Sequence, residues 1–186
     1  MKKLASYFGN PQDDIKVLHI AGTNGKGSVS LKVAEGLKLM GLTTGLFTSP
    51  HIETFRERIQ VNQVMASKES LNRHFESIFS CIEANSLDTR FFEIILMAAW
   101  LEFREKQCEY AVVECGIGGK KDSTIFIDHP IASAITSIGH DHMDLLGNSL
   151  EEIAADKAHV IKAGTPCVLG PSCRPMKSIE KRIKLV

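Results

Sequence analysis

Short apolar runs alternate along the chain with longer amphipathic stretches. Val17-Leu18-His19-Ile20-Ala21 is preceded by charged residues and followed by Gly22, and reads as a buried strand. From Ser28 the spacing of Val29, Leu31, Val33, Ala34, Leu37, Leu39 and Met40 is mostly helical, with Gly41 as a C-terminal cap. A second strand over residues 43–48 stops at Ser49-Pro50, because the residue before a proline prefers extended backbone. Helices are predicted over 67–84 and 91–106, the latter carrying Ile94, Ile95, Met97, Ala98 and Leu101. Tyr110 to Val113 reads as a strand running into Glu114-Cys115-Gly116-Ile117-Gly118-Gly119, followed by a strand over 131–138, a helix over 150–163 and a strand over 166–169. A helix begins near Met176, and the chain reaches Val186 before that helix is expected to bury a face. This alternation predicts an α/β fold with a mostly parallel, doubly wound sheet.

Composition narrows the picture. The 186 residues suit one ordinary domain and are tight for two. Lys and Arg number 22, as do Asp and Glu, so no net charge favours a polyanion, and neither nucleic acid nor a membrane surface is expected as a partner. The apolar stretch around Ile94 to Leu101 is far below the roughly 20 residues of a membrane span. Five cysteines without a C-x-x-C pair, behind an N-terminus with no apolar signal region, read as reduced thiols of a cytoplasmic protein. A monomer is expected.

Candidate chemistry begins at the strand-to-helix junction Gly22-Thr23-Asn24-Gly25-Lys26-Gly27-Ser28. Glycines let backbone N–H groups converge on phosphate oxygens, a helix N-terminus adds positive potential, and Lys26 supplies a cation. Ile20 stands where the strict phosphate-loop pattern has its first glycine, and Gly27 separates Lys26 from the Ser28 hydroxyl, so a glycine-rich turn with a surface lysine is the alternative. As a nucleotide site, the loop would use Ser28 as a magnesium ligand. Glu114, at the end of a strand, is either a second ligand at the same sheet edge or a cap or ion-pair partner. His140-Asp141-His142 with Asp144 suggests a metal, but His-x-His without further ligands at suitable spacing reads equally as a polar turn. The segment from Ser49, Pro50 and His51 to Arg56 and Arg58 is either a loop over the site, its arginines forking onto carboxylates, or a solvated charged loop. Lys157, within Ala154-Ala155-Asp156-Lys157-Ala158, reads by itself as a solvent-facing lysine.

Together these segments resemble the N-terminal, ATP-binding part of the folylpolyglutamate synthase/dihydrofolate synthase family in the Mur ligase superfamily. The resemblance rests on GTNGKGS (22–28), TSPHIETFRERIQVN (48–62), FFE (91–93), VVECGIGG (112–119), TSIGHDHMDLLG (136–147) and IAADKAHVIKAGTP (153–166), in the family's order. It implies a Mur-ligase-like central domain and an ATP-dependent ligase: the γ-phosphoryl group of ATP passes to a carboxylate of folate or dihydropteroate, and the amine of L-glutamate attacks the acyl phosphate. It implies phosphate binding by the 22–28 loop, with Lys26 catalytic, and a first magnesium on Ser28 and Glu114. His142 matches a ligand of a second magnesium. Lys157 matches a lysine that similar ligases carry as a carbamate, which overturns its bland reading. Ser49, Pro50, His51, Arg56 and Arg58 match the loop that shapes the folate site.

The chain departs from the family pattern after Gly119, where Lys120 stands in place of an arginine and Ile125 in place of an asparagine, and at Gln63, His140 and His159. Family members also continue into a second α/β domain. Residues 1–170 are therefore expected to form the ATP-binding domain and 171–186 the start of a domain that is otherwise absent, giving a fragment with little turnover alone. The alternatives are a non-catalytic Mg-ATP-binding remnant and a Mur-type amino-acid ligase, whose loop usually lacks the extra Gly27. A GTPase is disfavoured by the absence of Asn-Lys-x-Asp.

Overall fold

The apolar run at the start of the chain becomes the middle of a sheet. In the computed structural model, which describes residues 1–186, β1 (Lys16–Ala21) pairs in parallel on both sides. β5 (Tyr110–Glu114) lies on one side with Ile20 opposite Glu114, and β6 (Ala132–Ile135) on the other with Ile20 opposite Ala134. β2 (Thr44–Phe47) continues in parallel beyond β5, and β7 (Cys167–Leu169) beyond β6. Past β2, β3 (Ile59–Val61) and β4 (Val64–Met65) add an antiparallel edge, so the order is β4-β3-β2-β5-β1-β6-β7.

Seven α-helices accompany the sheet: α1 (Lys2–Tyr7), α2 (Lys26–Leu39), α3 (Lys68–Ala84), α4 (Phe91–Glu105), α5 (Met143–Leu146), α6 (Leu150–Lys157) and α7 (Lys177–Ile183). Side chains alternate across a strand, so β1 serves two cores. Ile20 joins Leu46, Val112 and Ala34 of α2 on one face. Val17 joins Phe47, Ala111 and Val113 under α4 on the other, while Ala21 and Ile135 meet Ala154 of α6. Helices thus cover both faces, the doubly wound arrangement that the alternation predicts.

Helix α4 is the most enclosed, with every residue from Ile95 to Phe103 buried. It can lie this close to β2 because residue 45 is glycine. A Cβ there would come within 2.6 Å of the Phe103 ring.

Several boundaries differ from the sequence expectation. Between the segment read as a loop and the helix expected from residue 67 lie β3 and β4, which were not predicted, joined by Asn62 and Gln63, both in left-handed backbone. The strand expected over 131–138 ends at Ile135, because Thr136 and Ser137 bond to the turn after β1. The helix expected to reach residue 163 ends at Lys157 and tightens to a 3-10 turn over Ala158–Val160 as Val160 and Ile161 enter the core. Helix α7 was expected to bury no face, yet Ile179 is 1% exposed. The Glu151 carboxylate of α6 accepts the N–H groups of Lys177 and Ser178, both at 3.0 Å, and anchors α7 there. No helix is long and apolar enough to cross a membrane.

Gly45→Ala should destabilise the chain by about 1–3 kcal/mol through overpacking against Phe103. Urea unfolding of Gly45→Ala, Phe103→Leu and the double variant checks this: the double variant should lose less than the sum of the single losses.

Candidate active site

Because β1, β5 and β6 run parallel, their C-terminal ends open on one edge of the sheet, where the glycine turn begins. Gly22 has φ 146°, and a Cβ there would fall 1.9 Å from Thr136 Oγ1. The turn is tied to the segment after β6. Thr23 N–H donates to the Ser137 carbonyl at 2.9 Å, Asn24 N–H to Ser137 Oγ at 2.9 Å, and Thr136 Oγ1 to the Asn24 carbonyl at 2.7 Å. Thr23 Oγ1 both donates to the Gly139 carbonyl and accepts from Gly139 N–H, each at 3.1 Å. Gly25, in left-handed backbone, is the N-cap of α2, and no side chain caps that helix. Its first N–H groups therefore retain anion-binding capacity. Lys26 curls back so that Nζ donates to the Thr23 carbonyl at 3.1 Å, and Ser28 is exposed on the first turn.

Glu114 faces this turn. It is 2% exposed, and a Cβ on Gly27 would sit 3.6 Å from its Oε2. Oε2 accepts Ser49 N–H at 3.1 Å, which brings the start of the 49–58 segment to the same place. Burial raises the Glu114 pKa above the usual carboxylate range, against the opposing pull of the Ser49 N–H and the Lys26 charge.

Lys157 is not the solvent-facing lysine of the sequence reading. It is 2% exposed, and its Nζ donates to the Gly22 carbonyl at 3.0 Å, directly behind the turn. Burial, then the charge of Lys26, lowers its pKa, while Asp141 and Asp156 act in the opposite direction. Asp156 also accepts Gly119 N–H at 2.7 Å, fastening the glycines after β5 to the end of α6. Lys26, Ser28, Glu114 and Lys157 therefore collect around one turn.

The remaining candidates sit differently. His142 is exposed in left-handed backbone at the N-cap of α5, its Nε2 3.7 Å from Asp141 Oδ2. Arg58 donates through Nε to His51 Nδ1 at 2.9 Å, and Arg56 through Nε to the Ala66 carbonyl at 2.7 Å, so each spends a donor close to its own segment. That segment is shaped by Glu57, whose carboxylate accepts the N–H groups of Ile52, Glu53 and Thr54. Pro50 follows a cis peptide bond.

A cavity of about 460 Å3 adjoins Gly116, lined by residues that include Phe92, Ile117, Asp122, Ser123 and Leu146. Sequence reasoning did not assign it. The signals were the Phe91-Phe92-Glu93 helix start and Asp122-Ser123-Thr124 beyond the glycines. Asp122 shapes its wall by accepting Ile117 N–H at 2.8 Å and Thr124 N–H at 2.8 Å. Beneath this wall His19 is fully buried, its Nε2 2.8 Å from Thr124 Oγ1 and 3.1 Å from Cys115 Sγ. Burial, with a smaller push from Lys162, lowers its pKa to about 3.

A parallel α/β sheet with a glycine-rich loop between β1 and α2, and an acid ending the neighbouring strand, defines a phosphate-loop type of protein. Residues 20–167 match the Mur ligase middle domain family. A dihydrofolate synthase/folylpolyglutamate synthase of Bacillus subtilis is 43% identical over 175 residues, covering 90% of this chain and 40% of that protein. A solved FPGS-AMPPCP-folate complex superposes with a TM-score of 0.92 at 35% identity, over 99% of this chain and 46% of its own. E. coli FolC in complex with DHPP and ADP gives 0.89 at 26% identity, over 98% and 44%. The chain belongs to the folylpolyglutamate synthase/dihydrofolate synthase family, as its Mur ligase middle domain. It spans less than half the length of these relatives.

The buried imidazole predicts a pH dependence. An unfolded histidine titrates near 6.5 and His19 near 3, so between those values the unfolded state holds one more proton and stability falls as the pH drops. Relative to the wild type, His19→Gln should flatten the loss of unfolding free energy across that window by roughly 1.4 kcal/mol per pH unit. Denaturant titrations at several pH values read this difference.

Proposed function

We propose that this chain is the ATP-binding part of a ligase that joins L-glutamate to folate or dihydropteroate. The observation that carries the reading is the glycine turn before the uncapped start of α2, faced by the buried Glu114 carboxylate across Gly27 and backed by Lys157. The nucleotides and folate compounds named in the solved relatives support the choice of substrates.

The residues fit magnesium as well as ATP. Glu114 is a buried carboxylate without a lysine or arginine ion pair, facing Gly27, the residue before Ser28, and hard cations favour oxygen donors of this kind. Ser28 and Glu114 would hold a first ion and His142 would contribute to a second. When bound, magnesium supplies positive charge that offsets the β- and γ-phosphates. Lys26 and the N–H groups of residues 25–28, at the uncapped start of α2, hold and orient those phosphates within the 22–28 loop. Lys157 as its neutral amine would take up carbon dioxide to give a carbamate, releasing one proton and presenting an anionic oxygen.

In the reaction, a substrate carboxylate oxygen attacks the γ-phosphorus and ADP departs. The glutamate amine then attacks the acyl carbon, phosphate leaves and the amine loses a proton. Positioning dominates such chemistry, so the chain's task is to hold the two reactants in line. The cavity beside Gly116 suits a flat heterocycle, with Phe92 as an aromatic wall and Asp122 as a polar one. The segment bearing Ser49, Pro50, His51, Arg56 and Arg58 would bound the folate on the nucleotide side. Unpaired thiols support a cytoplasmic setting.

A second reading, a Mg-ATP-binding chain without ligase turnover, rests on the same glycine turn and uncapped helix start, which suit a nucleotide whether or not ligation follows. ADP release measured with ATP, L-glutamate and either tetrahydrofolate or dihydropteroate separates the two.

Calorimetric titration should find Mg-ATP affinity reduced at least tenfold in Lys26→Ala; unchanged affinity rejects the phosphate-loop assignment. Glu114→Gln should lose the magnesium dependence of nucleotide binding, yet gain stability in the free protein at neutral pH. The sign follows from the raised folded pKa: the carboxylate binds its proton more tightly when folded, so its ionisation opposes folding as the pH rises through that range. Carbon-13 NMR with labelled bicarbonate should give a carbamate signal that Lys157→Ala abolishes.

A further inference from the structure

A second group of side chains, between α3 and α4, has no part in the chemistry above. Glu102 of α4 is 2% exposed and forms no ion pair with any lysine or arginine. Its Oε2 accepts the Ser70 hydroxyl and lies 3.0 Å from His74 Nε2 of α3. The same His74 nitrogen is 3.6 Å from Glu105 Oε2, one turn along α4. Burying a carboxylate is costly unless it is hydrogen-bonded and paired, and a bound cation would supply the missing charge.

The spacing fits the cation. One imidazole nitrogen and two carboxylate oxygens, from three residues on two helices, all lie within 4.8 Å of one another. Tetrahedral zinc with ligands at about 2.0–2.1 Å holds its ligand atoms about 3.3 Å apart, between the two separations from His74. Glu102 and Glu105 share a helix face by their i,i+3 spacing. The Ser70 hydroxyl fixes the Glu102 carboxylate, as partners of metal ligands commonly do. Arg73 Nη2 bridges Glu105 at 2.9 and 3.1 Å, and can stay on Oε1 while Oε2 turns to a metal. A cavity of about 280 Å3, lined by His74, Ser77, Leu101 and Glu105 among others, leaves room for water as a fourth ligand.

The geometry points to a zinc-class divalent-metal site formed by His74, Glu102 and Glu105, which clamps α3 to α4. Imidazole with carboxylate oxygens favours zinc, cobalt or nickel over magnesium or calcium. The ion binds the neutral ring, so any proton on His74 Nε2 leaves to solvent as the metal enters.

The test is a titration of the chelator-treated, dialysed full chain with cobalt(II) chloride, followed by visible d–d absorption. One equivalent should bind, zinc chloride should bleach the band, and excess magnesium chloride should leave it intact. His74→Gln should abolish the band, Glu105→Gln should weaken binding at least tenfold, and His142→Ala should leave both band and affinity unchanged. Circular dichroism checks the fold of each variant. Should His74→Gln fail to fold, Glu105→Gln, altered at a partly exposed side chain, decides the matter. Absence of a cobalt band in the wild type, a band and affinity unchanged in Glu105→Gln, or a band lost in His142→Ala would each overturn the proposal. Nucleotide titration of the same samples reads the phosphate loop separately, so failure of one assignment leaves the other standing.

Discussion

Everything at the candidate site depends on β1 being paired in parallel on both sides. With β5 and β6 in register beside it, the chain leaves β1 next to Glu114 and next to Thr136 in the same layer. The glycine turn borrows its shape from these neighbours through the hydrogen bonds of Thr23, Asn24, Thr136 and Ser137. With Thr23 and Asn24 tied down from outside, the N–H groups that follow at the start of α2 are left without a side-chain cap. That is the property a phosphate site needs, and a self-satisfied turn would lack it.

Around that turn the protein accepts electrostatic cost. Glu114 and Lys157 are both almost fully buried, and burial moves each pKa toward the neutral form. Neither charge is neutralised by an ion pair; each has a single backbone partner, Ser49 N–H for one and the Gly22 carbonyl for the other. Residues optimised for the stability of the free chain would look different. Such local strain is typical of a site built for ligands that bring their own charge.

Much of this was legible from residues alone. The central strand, its helix, and α3 and α4 follow from period and punctuation, because apolar runs and glycines there agree with the tertiary structure. The hairpin of β3 and β4 was hidden, since strands of three and two residues are too short for the alternation Ile59-Gln60-Val61 to stand out, and the pairing is carried by main chain. The short end of α6 was hidden as well, because Val160 and Ile161 continue a helical pattern while packing as a turn. Burial of Lys157 could not come from its chemistry; only the match of a whole segment to a family pointed to it. The Phe92–Asp122 cavity and the His74–Glu102 pair join residues 30 and 28 positions apart, a separation that one sequence does not reveal.

Thr136 shows what such close packing entails. A Cβ on Gly22 would strike its side chain at 1.9 Å, and a Cβ on Gly170 would strike its carbonyl at the same distance. The turn after β1 and the exit from β7 thus both press on one residue, the first on its side chain and the second on its carbonyl. Neither glycine can be exchanged while Thr136 stays in place. Drift through neutral single replacements is closed at these two glycines, and any redesign of the nucleotide edge has to treat them and Thr136 as a single unit.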